Sequence, residues 1–468
     1  MCRYYVHGCT ESGSLCLRWH RLGMLMPAAL IVFPGRSIMP TSSADTDAGA
    51  ASPSPEAAAQ AAATVSARSS LWRVESWNIR VAAPLGVWAC TRLLMIMMVF
   101  STHENANGEV HHLYEKWARI LEHGSFPVSD VTWQYPPGAA GVILAPTLVP
   151  GVNYVQGFIL VTLVADALVL AALVRTGARP GRRMGGAWVW TLMLPLMQFI
   201  PYARYDVIVT MFAVLGLLCL QRGGWLGGGL AAVGAMIKVW PAFAVFGAPR
   251  GKDAKSIVLG FLASALALTA VMSFFFTGGF AFLKGQGHRG VEFESLGGSA
   301  LLAARLFGYP GEVTYRYGSF EYVGPHVGVV GKALVALTVL GFAWLMLWRL
   351  KARAFSPSTP ADAALAATLV FVATSRVISP QYLIWLAGLG AVCLTYRQTT
   401  QRPVVGILLV ATALTTVEYP FFWEKVVAGH AGFTVVLILR NAVLVVATVL
   451  SCVRLWRSTV PSRRSGDC

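Results

Sequence analysis

"SIVLGFLASALALTAVMSFFF" occupies residues 256–276 and contains no charged side chain. Its 21 residues are enough to cross ~30 Å of hydrocarbon as a single α-helix. Similar apolar runs recur between residues 81 and 453, without the alternation of apolar and polar residues that is typical of barrel strands. These runs predict an all-α, polytopic membrane protein.

The composition of the chain agrees with this fold class. Of its 468 residues, 56% are hydrophobic and only 12% are charged, whereas about a quarter of a soluble domain is charged. The net charge of +16 does not predict a nucleic-acid partner, because basic residues collect in the cytoplasmic loops of membrane proteins. The eight cysteines form neither a metal-ligand spacing nor a secreted disulfide framework. We therefore expect an integral membrane protein without a metal site.

The ends of the chain differ in composition from its centre. The N-terminal segment is rich in Ala, Ser and Pro, so residues 1–78 are predicted to be a disordered tail. Met39 is a candidate start codon, which would make residues 1–38 a gene-calling artefact. Residues 79–455 are predicted to form the membrane-embedded domain, and residues 456–468 a basic cytoplasmic tail.

Basic residues mark alternate ends of the predicted spans. Segments such as "PRGKDAK" (249–255) and "WRLKAR" (348–353) belong in the cytoplasm by the positive-inside rule. The loops at 101–136, 277–328 and 418–431 then lie outside, and they hold 11 of the 21 acidic residues. Solvated loop charge is one explanation of these acids. A site at the outer surface is the other, because aromatic and histidine residues accompany several of them.

Five apolar segments between residues 138 and 249 allow two arrangements. Five crossings give 12 spans but leave "RTGARPGRR" (175–183) outside, against the positive-inside rule. Three crossings obey the rule and leave two segments re-entrant. Pro146 in the first segment and the Lys238-Val-Trp-Pro sequence in the last favour such interruptions. We expect about 12 membrane helices, with ten plus re-entrant helices as the alternative.

The first outer loop contains a predicted surface helix over residues 110–123. Polar residues spaced by three, four and seven share one face: Glu109, His112, Lys116 and His123. The apolar stripe comprises Leu113, Trp117, Ile120 and Leu121. Such a helix can lie flat on the membrane with its aromatic residues at the headgroups. Gly124 and Pro127 end it, and "WQYPPG" (133–138) returns the chain to the membrane.

Five segments carry a resemblance to a known family. They are "GEVHHLYEKWARILEHGSFPVSDVTWQYPPGAAGVILAP" (108–146), "PYARYDVIVTMFAVLGLL" (201–218), "IKVWPAFAV" (237–245), "GHRGVEFESLGG" (287–298) and "SRVISPQYLIWLAG" (375–388). In this order they resemble bacterial polyprenol-phosphate-mannose-dependent mannosyltransferases of glycosyltransferase family 87, which have the GT-C fold. The resemblance covers residues 81–455 and implies a GT-C-type helical bundle with surface helices in its outer loops.

The resemblance also implies an activity. Such an enzyme transfers a hexose, usually mannose, from a polyprenyl phosphate to a glycolipid, glycan or glycoprotein on the outer face, without a cofactor, nucleotide or metal ion. An acidic residue of the first outer loop acts as general base in an inverting displacement. The chemistry is consistent with acids at an outer surface, because a sugar hydroxyl is a poor nucleophile and the anomeric centre becomes cationic. A leaving phosphate needs positive charge and N–H donors.

Two carboxylates are candidates for this base. The family has an Asp in a "D-x-x-x-Y"-like context, and the resemblance places Glu109 at that position, a departure that lengthens the side chain by one methylene. Asp130 is the second candidate, with a turn or cap residue as its structural alternative. The departure at Glu109 leaves open a scaffold subunit without catalysis. A transporter or lipid flippase is the other alternative, although no internal repeat is present.

Several basic and polar residues are candidates for donor or acceptor binding. His288 and Arg289 lie in the Gly-rich "GQGHRG" (285–290), where Arg289 suits a phosphate, with a headgroup-facing Arg as the alternative. Glu294 is expected to orient Arg289 or to bind acceptor hydroxyls, and Arg376 is a second phosphate candidate.

Charged residues within the apolar segments add further candidates. Arg204, Asp206 and Lys238 are predicted to face the bundle interior, because they are costly in lipid. Pairing of Arg204 with Asp206 is the structural alternative. The remaining candidates for substrate binding are His112, Tyr114, Lys116, Trp117, Tyr135 and Gln381.

Overall fold

The computed structural model describes residues 79–100, 108–220, 223–285 and 289–461. The helices are, in chain order, α1 (Ile79–Phe100), α2 (Glu115–Glu122), α3 (Ala139–Leu144), α4 (Tyr154–Gly177), α5 (Gly185–Met193), α6 (Ile200–Ala203), α7 (Asp206–Cys219), α8 (Gly224–Ile237), α9 (Lys252–Phe275), α10 (Phe282–Gly285), α11 (Leu296–Arg305), α12 (Val327–Lys351), α13 (Thr359–Thr374), α14 (Tyr382–Thr395), α15 (Arg402–Thr416), α16 (Trp423–Val427) and α17 (Ala431–Thr459). Short 3-10 segments are Ala145–Leu148, Leu194–Met197 and Trp240–Gly247, and π-helical turns are Val110–Tyr114 and Val417–Phe421. The predicted tail at 1–78, the start of the first outer loop (101–107) and residues 462–468 lie outside the described residues.

The apolar helices confirm the predicted fold class. Among the described residues, six helices are long and apolar enough to cross a membrane: α1, α4, α9, α12, α15 together with the π-helical turn that follows it, and α17. Six shorter apolar helices accompany them, counting the 3-10 extensions of α3 and α5: α3, α5, α7, α8, α13 and α14. The chain is therefore an all-α, polytopic membrane protein.

Two basic loops lie together at one end of the bundle. The backbone N–H of Arg183 donates to the carbonyl of Thr395 at 3.1 Å. The guanidinium of Arg182 lies 4.0 Å from the centroid of the Tyr396 ring. The loop at 175–183 is thus beside the loop at 396–402. We call this the basic end, and the contact favours the arrangement that obeys the positive-inside rule.

The helix α3 stays near one end of the bundle. The hydroxyl of Tyr154, the first residue of α4, donates to the carbonyl of Ile143 at 2.8 Å. Gly157 of α4 packs so closely on Pro146 that a Cβ at residue 157 would lie 2.6 Å from the Pro146 carbonyl oxygen. Since α4 starts beside the 3-10 extension of α3, this segment does not reach the basic end where α4 finishes.

The helix α8 and the 3-10 segment after it also form a segment whose start and end lie near the same end of the bundle. Gly224 packs against the start of α9, where a Cβ would lie 3.1 Å from the Asp253 carbonyl oxygen. At the far end of the segment, Gly247 packs on Pro360, the second residue of α13. Lys238 lies between the end of α8 at Ile237 and the start of the 3-10 segment at Trp240. The contacts therefore favour ten crossings with two re-entrant segments.

The predicted surface helix forms a continuous helical segment from Val110 to Glu122, and Gly124 follows it with φ +74°. Its first turn is π-helical, which brings residues five apart together instead of three or four apart. Glu109 therefore meets Tyr114, whereas His112 remains exposed. The expected common polar face is altered by this turn.

The prediction that the aromatic residues of the surface helix face the lipid headgroups is wrong for Trp117. Trp117 is 0% exposed and packs edge-on against Trp133 and Tyr135, with ring centroids 5.0 and 5.9 Å away. The helix is thus seated on the protein by its apolar side, because "WQYPPG" folds back beneath it. This fixes the described part of the segment between α1 and α3 on the helix bundle.

A small antiparallel sheet stands in the chain between α10 and α12. Its strands are β1 (Val291–Glu292), β2 (Glu312–Arg316) and β3 (Ser319–Val323), in the order β1-β3-β2. The β2–β3 hairpin turns at Tyr317 and Gly318, where φ is 51° and 82°. Positive φ at both positions gives the tight two-residue turn that matches strand twist.

Candidate active site

Glu109 lies at the start of the surface helix in a network with two other residues. One carboxylate oxygen accepts a hydrogen bond from the Tyr114 hydroxyl at 2.9 Å. The other lies 2.7 Å from the Arg204 guanidinium, and the two side chains are 12% and 17% exposed. Arg204 follows α6, so the pair connects the first outer loop to the bundle. Some exposure remains through which a substrate can reach the carboxylate.

Lys238 and Asp206 form a second ion pair. The ammonium lies 2.7 Å from one Asp206 oxygen, and the Trp385 indole donates to the same oxygen at 2.6 Å. The lysine is enclosed by aromatic faces, with its nitrogen 4.6 Å from the Tyr205 centroid and 5.6 Å from that of Tyr135. Both charged residues face the bundle interior as predicted, but the alternative that pairs Arg204 with Asp206 is wrong. Each residue instead has a partner from a distant segment.

The second oxygen of Asp206 has no hydrogen-bond partner among the described residues, although it is buried. A buried carboxylate oxygen without a donor is costly, because it loses its hydration without compensation. A hydroxyl-rich ligand could supply that donor. The pair is therefore a candidate for contact with a sugar.

Asp130 is engaged in its own loop. Its carboxylate accepts hydrogen bonds from the backbone N–H and hydroxyl of Thr132, from Lys116 at 3.0 Å and from the Trp117 indole at 3.2 Å. Partial burial opposes ionisation, but these donors outweigh it and hold the pKa of Asp130 below its usual value. Such a carboxylate is a weak proton acceptor, and its geometry is that of a turn residue that also anchors the surface helix.

The two candidate phosphate-binding arginines are linked through the backbone. Arg376 donates to the carbonyl of Arg289 at 2.8 Å, and Arg289 donates to the carbonyl of Tyr317 at the hairpin tip at 2.9 Å. The Nε of Arg289 is buried and has no hydrogen-bond partner among the described residues. A guanidinium donor left without an acceptor is suited to an incoming anion.

The pKa of Tyr135 responds to the charges of several of these groups. Burial is the largest cause that raises the pKa of Tyr135, followed by the charge of Glu109, and Asp206 acts in the same direction. Arg289 opposes them. One side chain is therefore exposed to the fields of both ion pairs and of the candidate phosphate-binding arginine, so the structure brings these predicted residues into one neighbourhood.

Glu294 belongs to a different cluster. Its carboxylate lies 3.2 Å from Arg440, which also lies 3.3 Å from Glu418, and all three are at most 2% exposed. Burial and the neighbouring carboxyl groups raise the pKa of Glu294 well above its usual value. The structure thus pairs Glu294 with Arg440, and no Glu294–Arg289 contact is found among the described residues.

Glu292 lies in the same cluster and connects the segment that carries Arg289 to the segment that carries Arg376. Its carboxylate accepts from the backbone N–H groups of Glu294 and Ile378 at 3.1 and 3.2 Å, and its own N–H donates to the carbonyl of Arg376. Burial is the main cause that raises the pKa of Glu292 to about 8. The segments that carry Arg289 and Arg376 are fixed to each other by this residue.

The remaining predicted residues have less defined roles. His112 is exposed on the surface helix, and Lys116 is 60% exposed beside Asp130. Trp117 is buried as the donor to Asp130, and Gln381 is half-buried just before α14. His288 lies outside the described residues, so its role stays a prediction.

Sequence reasoning did not include the aromatic partners Tyr205, Trp385 and Tyr315. Tyr205 lies between the candidates Arg204 and Asp206, and Trp385 follows the candidate Gln381 in "SPQYLIW". Their position next to predicted site residues was therefore an available signal. Burial is the largest cause that raises the pKa of Tyr315 to about 12, followed by the charge of Glu109, whereas Arg204 lowers it. Tyr315, from the hairpin, therefore lies near the first ion pair, and only the fold could place it there.

A buried ion pair in the membrane region was also missed. Arg92 of α1 lies 2.7 Å from Asp166 of α4, and both are at most 1% exposed. Asp166 also accepts from Trp190 and Tyr202, each at 2.6 Å. A charge in the middle of an apolar span was the available signal. Because the pair is enclosed and hydrogen-bonded, we interpret it as an anchor between helices.

Among the described residues, no group of three or more His, Cys, Asp and Glu side chains is arranged to hold a metal ion. The family model for glycosyltransferase family 87 matches residues 133–380. This range includes Tyr135, Arg204, Lys238 and Arg289, and it begins after Glu109. No curated protein and no solved structure matches the chain.

Proposed function

Because the chain belongs to glycosyltransferase family 87, it is a membrane glycosyltransferase, and we propose that it moves mannose from polyprenyl-phosphate mannose to a glycan, glycolipid or glycoprotein. The family decides between the transferase and the transporter that the sequence left open. The donor, the sugar and the residues that act on them are our proposal. The observation that supports it best is that the partly exposed carboxylate of Glu109 and the buried guanidinium donor of Arg289 lie in one neighbourhood.

Glu109 is the general base in this proposal. The two candidate carboxylates are similarly exposed, at 12% for Glu109 and 14% for Asp130. They differ in their partners, because among the described residues Glu109 contacts only Tyr114 and Arg204 through polar atoms, whereas the carboxylate of Asp130 is occupied by donors from Thr132, Lys116 and Trp117. The acceptor hydroxyl would displace the Tyr114 hydroxyl from Glu109, so that its proton points at the carboxylate oxygen. Arg204 holds the other oxygen and thereby fixes the direction of the lone pair.

The transfer is a single displacement at the anomeric carbon. The acceptor oxygen forms the new bond to that carbon as its proton passes to Glu109. The bond from the carbon to the phosphate oxygen breaks, and its electron pair leaves with the polyprenyl phosphate. The anomeric configuration is inverted because attack and departure occur on opposite faces. Asp206 and the aromatic side chains around Lys238 would contact the sugar.

Arg289 is the residue proposed to stabilise the leaving phosphate. Its buried Nε has no acceptor among the described residues, and the second donor group, Nη2, faces the Tyr317 carbonyl. A phosphate oxygen would gain a charge-assisted hydrogen bond from this guanidinium, and its charge grows as the bond breaks. Arg376 supports Arg289 through the backbone contact between them.

The site is proposed to face the outside of the membrane. It lies near the start of α14, whereas the basic loops at 175–183 and 396–402 lie at the other end of that helix. Basic loops of membrane proteins remain in the cytoplasm. The donor would then be used in the outer leaflet, where its phosphate lies at the level of the outer loops.

The purified enzyme in lipid nanodiscs tests the proposal directly. We expect transfer of labelled mannose from polyprenyl-phosphate mannose to a membrane lipid or glycan extract. Polyprenyl-phosphate glucose and a mannose nucleotide are the matched donors, and we expect neither to replace it. Transfer from the nucleotide alone would refute the donor class, and transfer from the glucose donor alone would refute the sugar.

A further inference from the structure

A groove opens on the membrane-facing surface between α12, α13 and α17, towards the basic end of the bundle. It encloses about 370 Å³, within the ~300–1,000 Å³ range of ligand sites. Trp344, Val449, Cys452 and Trp456 contribute to its walls, which are almost entirely apolar. Nothing in the proposed transfer reaction uses this groove, because the candidate active site lies at the opposite end of the helices.

The groove faces the lipid rather than the protein interior. Only 17% of the apolar 18-residue stretch of α12 and 33% of that of α17 are buried within the protein. Val449 in the groove wall is 57% exposed. In a membrane this surface is in contact with acyl chains, so an apolar recess there is filled by a lipid chain instead of water.

The length of the groove corresponds to one leaflet. Its α17 wall runs over the ten residues from Thr448 to Arg457, and the nine helical rises of ~1.5 Å between them span ~14 Å. This is about half of the ~30 Å hydrocarbon thickness, the depth occupied by a single acyl chain. Trp344 and Trp456, 6.0 Å apart between ring centroids, close the groove near the level where tryptophan prefers the membrane interface.

Positive charge lies at the mouth of the groove. Arg457 lines it, is exposed, and forms no hydrogen bond or ion pair with any side chain in the described ranges. The ends of α12 and α17 are joined there by hydrogen bonds to Thr459 from the Trp348 indole and from the Arg353 N–H, each at 2.8 Å. Lys351 and Arg353, both exposed, therefore lie at the same end of the bundle as Arg457.

We propose that this groove binds one acyl chain of an anionic phospholipid of the basic-end leaflet, with the headgroup phosphate against Arg457. The apolar walls select a chain, and the basic residues at the mouth select a negative headgroup. The site is separate from the polyprenyl donor site and does not depend on the proposed reaction.

Native mass spectrometry of the full chain tests this site, with phosphatidylglycerol and phosphatidylcholine of identical acyl chains as probes. We expect one phosphatidylglycerol to be retained after other lipids dissociate. Val449→Trp fills the groove and should remove this lipid. Val446→Trp is the matched control, because Val446 is 55% exposed on the same helix outside the groove lining, and it should retain the lipid.

The charge at the mouth is tested by Arg457→Gln. We expect phosphatidylglycerol to bind about fivefold more weakly, the effect of one basic residue near a membrane surface, while phosphatidylcholine binding is unchanged. Lys351→Gln is the control outside the groove lining and should have a smaller effect. Equal retention in both valine variants, or equal binding of the two lipids to the wild type, would overturn the proposal. Displacement of the lipid by polyprenyl phosphate at equal concentration would also overturn it, because the groove would then be a donor-tail site.

Discussion

Replacement of Glu109 by glutamine separates catalysis from structure at the proposed base. Glutamine keeps the size of the side chain and can still accept from either Tyr114 or Arg204, whose distances to the carboxylate are 2.9 and 2.7 Å. It cannot take up the proton of an acceptor hydroxyl. The turnover number should therefore fall by ~10²–10⁴, or ~2.7–5.5 kcal/mol in activation free energy, as expected for the loss of a general base.

The same substitution has a smaller effect on stability. Arg204 loses its charged partner, but both side chains retain some exposure and the amide still hydrogen-bonds. We expect the free energy of unfolding to fall by about 1–3 kcal/mol. The fall in turnover should be much larger than any loss of folded protein, and the KM for the donor should change little, because the donor does not contact the base in the ground state.

The assay is the initial rate of mannose transfer in nanodiscs at saturating donor, with thermal unfolding measured on the same samples. Glu115→Gln is the matched control one turn further along the helix, since Glu115 pairs with the exposed Arg119 and His111. It should leave turnover unchanged. Glu109→Asp restores the residue type that the resemblance implies at this position and should keep substantial activity.

Asp130→Asn completes the comparison. Asparagine cannot satisfy Thr132, Lys116 and Trp117 together, so this variant should be less stable while retaining most of its turnover per folded molecule. If Asp130→Asn abolishes turnover in folded protein while Glu109→Gln retains most of it, the assignment of Glu109 is refuted. If neither variant changes turnover, the carboxylate-base mechanism in the first outer loop is refuted.

Three further predictions follow from other parts of the structure. Arg289→Ala should raise the donor KM and lower kcat, with a loss of ~1.5–3 kcal/mol or roughly 10- to 150-fold in kcat/KM; unchanged kinetics would transfer the phosphate-binding role to Arg376. In intact cells, an impermeant thiol reagent should label Asn107→Cys but not Arg397→Cys in a background without other cysteines, and the reverse pattern would invert the proposed topology. The pKa of Glu292 is raised from its usual value of 4.5 to about 8, so its contribution to stability is present at low pH and is lost as the pH rises from the lower value to the higher one. Thermal unfolding should show this decline in the wild type, and Glu292→Gln should make it smaller, with the remainder due to Glu294.

The amino-acid sequence by itself determined the features that depend on neighbouring residues. The length of the longest apolar runs predicts the six span-length helices, because ~20 apolar residues match the hydrocarbon thickness. The surface helix from Val110 and its end at Gly124 were also predicted, since helical spacing and a glycine at positive φ are local signals. Pro146 and Lys238 indicated where two segments would be interrupted, although not which arrangement the chain adopts.

Tertiary structure alone decided which charges meet. Arg204 has Asp206 two residues away but pairs with Glu109, which is 95 positions earlier, while Asp206 pairs with Lys238. It also gave Glu109 two side-chain partners, Tyr114 and Arg204, and surrounded the carboxylate of Asp130 with more donors. The physical reason is that an ion pair requires a few ångströms between particular atoms, and that distance depends on how helices pack. Hydropathy and spacing place a residue on an element, but only the packed fold chooses its partner.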